Sequence, residues 1–144
     1  MKARLAFISI FIMFVFALPA NAGGKGELQK YFSDVANKVK ATENASEKRK
    51  ILNESFQSMS KTLDKVQSLW LISEDDRVGI ERLKATLKEK QDELEGSNGF
   101  EQVSDAQLNA FSNYVVQDME QADQMITISL VTLLLIIILI VLLV

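Results

Sequence analysis

Residues 52–70 read LNESFQSMSKTLDKVQSLW. The apolar positions are Leu52, Phe56, Met59, Leu63, Val66 and Trp70, stepping four, three, four, three, four. Side chains spaced this way share one stripe of an α-helix, whereas a strand would alternate every second residue. The run covers fewer than three heptads, which is short for a free-standing coiled coil. It therefore predicts a helix whose apolar face packs inside a bundle. Facing outward, the same six residues would form a surface for a partner or for self-association. Leu69-Trp70-Leu71-Ile72 is the most apolar spot of the central segment, and four consecutive apolar residues exceed what one helix face needs. Trp70 thus has two readings, a core residue or a contact for a partner or membrane surface.

The helical period extends to both sides. Leu28, Phe32, Val35 and Val39 predict a helix over about 27–43. The register does not carry through the polar stretch 41–50, and Asn44 with Glu47 has capping-box spacing. A second helix is expected over 46–72, the alternative being one unbroken helix from 27 to 72. Ser73 before Glu74-Asp75-Asp76 is a helix start, with a capping hydroxyl and three acids at the positive end of the dipole. Ile80, Leu83, Leu87 and Leu94 form its stripe and Gly96 its stop, giving a helix over 74–95. Ser104 and Gln107 then have capping-box spacing, with Val103 and Leu108 placed as a hydrophobic staple. Leu108, Phe111, Val115, Met119 and Ala122 continue toward Ile126 with no Gly or Pro between. One helix from Asp105 to about Val144, roughly 60 Å long, is expected.

Two apolar segments bracket this body. Residues 5–18 follow Lys2 and Arg4 and precede Pro19 and Ala20-Asn21-Ala22. Positive charge, a short apolar run and small residues at Ala20 and Ala22 are the pattern of a secretory signal peptide cleaved after Ala22. An uncleaved signal anchor is the alternative. The second segment runs from Ile126 to Val144 without a charge. As a helix it would measure roughly 28 Å, close to the ~30 Å hydrocarbon core of a bilayer. The flank before it holds Glu101, Asp105, Asp118, Glu120 and Asp123 and no Lys or Arg, which suits the outer face. A removable lipid-anchor signal fits less well, because Tyr114, Val115 and Val116 interrupt the small and polar residues it needs.

The expected architecture is all-α. Residues 1–22 are a cleaved signal peptide, and residues 23–104 belong to an exported antiparallel bundle of three or four helices. Residues 105–125 form a neck, and residues 126–144 a transmembrane span that continues the last helix. The protein would be single-pass in the cell membrane, its domain periplasmic if the source is bacterial and its C-terminus at the cytoplasmic face.

Composition narrows the function. The chain has no Cys and no His. Thiol and histidine catalysis, the usual zinc sites and disulfide stapling are therefore closed to it. No pair of carboxylates stands isolated on an apolar face, as acid–base catalysis would want. Net charge is −3, and the exported part is more negative because Lys2 and Arg4 leave with the signal. The one basic triplet, Lys48-Arg49-Lys50, reads as a solvated helix turn, and nothing points to nucleic acid. Glu74-Asp75-Asp76 lacks calcium-loop spacing. Asn44-Ala45-Ser46 and Asn53-Glu54-Ser55 match a glycosylation sequon at about the frequency chance supplies. The expected protein has no catalytic, cofactor or metal residues. It meets lipid through its C-terminal helix and a protein partner or a second copy through its seam, as a scaffold, adaptor or self-associating module. A membrane-active or pore-forming helical protein is the alternative, as is a small regulator of an envelope enzyme or transporter.

Overall fold

A computed structural model describes residues 27–125 and 128–143. Among the described residues the fold is all-α, with no strand. The helices are α1 (Glu27–Lys40), α2 (Ala45–Gln67), α3 (Glu74–Glu95), α4 (Leu108–Met125) and α5 (Leu130–Leu143), with a 3-10 turn at Asp105–Gln107. The signal-peptide residues, including Ala20 and Ala22, and the expected span ends Ile126 and Val144 lie outside the described residues.

Local chemistry sets most of the boundaries. Asn44 caps α2 by accepting the Glu47 N–H at 3.1 Å, and Ser73 caps α3 by accepting the Asp76 N–H at 3.2 Å. Each side chain satisfies a donor that a helix start leaves without an intrahelical acceptor. At the other end of α3, Gly96 takes a left-handed φ of 76°, and the Asp92 carbonyl accepts from Gly96 and Ser97 at 2.8 and 2.9 Å. A Cβ there would come within 2.9 Å of the Gln102 backbone nitrogen, so space as well as conformation calls for glycine.

The central element is α2. It touches α1, α3, α4 and α5, while α1 also lies against α4. Leu52, Phe56, Met59, Leu63 and Val66 are all essentially inaccessible. Each such burial removes apolar surface from water and contributes roughly 1.5–3 kcal/mol of transfer free energy. The rings of Phe32, Phe56 and Phe111 link α1, α2 and α4, with centroids 6.1 and 6.5 Å apart.

Three sequence expectations are corrected. First, α2 ends at Gln67 rather than residue 72. The Ser68 hydroxyl donates to the Lys65 carbonyl at 2.7 Å, and the Arg77 guanidinium reaches the carbonyls of Leu69 and Ile72. These bonds satisfy backbone groups of a turn that replaces the last helical turn. Second, Ser104 makes no side-chain cap; its carbonyl instead accepts the Gln107 N–H at 3.0 Å within the 3-10 turn. Third, the single helix expected from Asp105 to Val144 is two helices, with Ile128 and Ser129 non-helical between them. α5 folds back against α2 instead of projecting from the bundle. Ser129 supplies the local reason for the break, since its hydroxyl accepts the Thr132 N–H and caps a new helix there. Among the described residues no helix is long and apolar enough to cross a membrane.

Candidate functional site

The sequence-predicted contact residues divide into two groups. Leu52, Phe56, Met59, Leu63 and Val66 form the protein's own interior and present no surface to a partner in this conformation. Trp70 is 89% exposed, because the backbone leaves the helix two residues before it. Ile72 turns inward and closes that end of the core. The stripe was a sound guide to burial up to Val66, after which backbone geometry overrode it.

The N-termini of α3 and α5 meet at Asp76. Its carboxylate is buried, 6% exposed, in the first turn of α3. One oxygen accepts the Ser129 backbone N–H at 2.9 Å. The other accepts the Ser129 hydroxyl at 2.7 Å and the Thr132 hydroxyl at 2.6 Å. Ser129 also lies 3.0 Å from the Thr132 hydroxyl, but its single proton serves the shorter bond to Asp76. The Ser129 oxygen in turn accepts the Thr132 N–H at 3.3 Å, capping α5.

The electrostatics are those of a stabilised anion. Burial pushes the Asp76 carboxyl up, but the bonds from Thr132, from the Ser129 side chain and backbone, and from Ser73 together outweigh it and hold it below the ordinary carboxylate range. Both helices also present their positive ends to the same carboxylate. Glu74 and Asp75 remain exposed, so the acidic triplet is not one cluster. Among the described residues no group of acids is arranged to hold a metal ion.

α5 has two unlike faces. Leu133, Ile136 and Ile140 are buried in the bundle. Val131, Leu134, Ile138 and Leu142 form an outer stripe, with Leu142 73% exposed. A free surface carrying four large aliphatic side chains and no charge departs from the charged faces of α2 and α3.

A second buried charge ties α3 to α4. Lys90 is 2% exposed, donates to Glu93 at 2.9 Å and pairs closely with Asp118. Its ammonium sits 4.6 Å from the centre of the Tyr114 ring. Burial pulls its pKa down, yet the bonds to Asp118 and Glu93 prevail and raise it above the ordinary lysine value. At the opposite end of α2 from Asp76, Arg49 bonds Asp105 at 2.8 Å and the carbonyls of Val103 and Leu94. Within the expected solvated basic turn, Arg49 is thus a structural tie joining α2, the end of α3 and the loop before α4, while Lys50 is exposed.

The groove between α1 and α4 is open and lined mainly by polar side chains, the amides Gln29, Asn37, Asn113 and Gln117 with Ser33, Lys40 and Glu120. No family model matches this chain, and neither a curated protein nor a solved structure matches it.

Proposed function

We propose that the chain is a non-catalytic, membrane-anchored helical protein of the cell envelope, acting as a scaffold or adaptor. The observation that carries this reading is the outer stripe of α5, apolar and free of charge on a body that is otherwise well charged. α5 itself is 14 residues, roughly 21 Å long, whereas the charge-free run in the sequence extends over residues 126–144. A helix over the whole run matches the bilayer core and would bury all its faces in lipid. Because the seam is internal, partner contact is assigned to exposed surface, with Trp70 and Leu71 the first candidates. Exposed aromatic anchors carry much of the energy of typical protein interfaces.

Fractionation of the full chain tests the anchor. The expected result is that it stays in the membrane pellet through alkaline carbonate extraction, while a chain ending at Met125 is released. Extraction of the full chain by carbonate would remove the anchor from the reading. One observation favours the membrane-active alternative, namely that the apolar segment is docked on the bundle and so has a second position to move from. Release of dye from sealed vesicles by the purified chain would decide for that alternative.

A further inference from the structure

We infer that Asp76 is a releasable clasp that holds α5 against the bundle, so that the tail has a docked and a lipid-inserted position. The inference rests on the membrane reading above for its second position only. Two observations and one general principle carry it. The bonds from Ser129 and Thr132 to Asp76 span 53 and 56 residues of chain, so they exist only while α5 is docked. Docking buries only one face of α5 and leaves Val131, Leu134, Ile138 and Leu142 toward water. An apolar helix left half in water gains by moving into lipid, where every face is covered.

The clasp is built from groups that all have somewhere else to go. Asp76 is the one ion in it; Ser129 and Thr132 are neutral. On release, the carboxylate returns to water at the start of α3, where the helix dipole still favours it. The two hydroxyls bond back to carbonyls of their own helix, as serine and threonine do in apolar surroundings. Opening therefore leaves no buried charge and no orphaned donor, unlike a broken buried ion pair.

Native cysteine is absent, so a single introduced thiol reports docking. Ile136→Cys places that thiol on the buried face of α5, and Met119→Cys places a control in the α4 core. Labelling by a water-soluble maleimide is followed in the full chain in buffer, with and without Asp76→Asn. Expected is labelling of the Ile136→Cys thiol roughly tenfold faster or more with Asp76→Asn, since charge-assisted bonds are lost, and no change at Met119→Cys. The double variant Ser129→Ala, Thr132→Val opens the clasp from its other side and should act alike. Flotation with phosphatidylcholine vesicles should rise in parallel. Equal labelling rates with and without Asp76→Asn overturn the clasp. So does acceleration at both thiols, which would mark general loosening. Faster labelling at position 136 without flotation upholds the clasp and overturns the membrane reading instead.

Discussion

Two of the buried charges, Lys90 and Asp76, tie one helix of this bundle to another, and they are built differently. Lys90 is enclosed by carboxylates, Glu93 of its own helix and Asp118 of α4, so its tie between α3 and α4 is the ion pair with Asp118. Asp76 is enclosed by hydroxyls and a backbone N–H, so its tie between α3 and α5 joins one ion to neutral groups. Separating α3 from α4 takes Asp118 away from Lys90 and leaves Glu93, on its own helix, as its remaining partner. Separating α3 from α5 strands nothing that water or the helix itself does not satisfy. The α3–α4 tie thus joins two ions and the α3–α5 tie joins one ion to neutral groups, within one apolar core that also holds Leu133, Ile136 and Ile140 of α5.

The harshest way to break the comparison is to remove the ground under both ties. Leu63 is fully buried at the centre of α2. Leu63→Asp should destabilise by about 4 kcal/mol or more, since an unpaired charge enters an apolar site. Unchanged thermal melting would mean that the seam is not the core.

Lys90→Ala comes next. It leaves Glu93 and Asp118 facing each other, each about a fifth exposed. A loss of about 2–3 kcal/mol in urea unfolding is expected, somewhat under the usual cost of breaking a fully buried pair. A loss no larger than that of an exposed lysine would erase the distinction drawn here.

Alkali should separate the ties. The Asp76 carboxyl is lowered in the fold, so its contribution is complete above the ordinary carboxylate pKa of about 3.9 and is lost as pH falls through its folded value. The Lys90 ammonium is raised, so its contribution is complete below the ordinary lysine pKa of about 10.4 and is lost as pH rises through its folded value. Hydrogen exchange should therefore show the α3–α4 contact loosening in strong alkali while α5 stays docked. Loosening of α5 along with it in alkali would contradict the assignment.

The mildest test concerns Trp70. Trp70→Ala should shift stability by less than about 0.5 kcal/mol, because an exposed side chain has little burial to lose. Acrylamide should quench its fluorescence as it quenches a free indole. A protected indole would place Trp70 back on the seam.

Much of the core was legible from residue spacing. Leu28 to Val39, Leu52 to Val66 and Ile80 to Leu94 follow the helical period, and Asn44, Ser73 and Gly96 act at the ends where their chemistry suits them. What escaped depends on contacts between distant residues. Asp76 has a sufficient local explanation as an acid at a helix start, and nothing nearby announces Ser129. Arg49 likewise sits among Lys48 and Lys50 and differs from them only in what the fold brings to it. The break before α5 was signalled faintly by Ser129 with Thr132, a cap hidden inside an apolar run. A continuous hydrophobic pattern suggested one rod because no glycine or proline interrupted it.

The distance along the chain between Asp76 and Ser129 also orders events in time. At synthesis rates of roughly 5–20 residues per second, the 53 residues between them take roughly three to ten seconds to emerge. Asp76 is therefore made seconds before its hydroxyl partners exist. Until Ser129 and Thr132 follow, its carboxylate has only water and the start of its own helix to satisfy it.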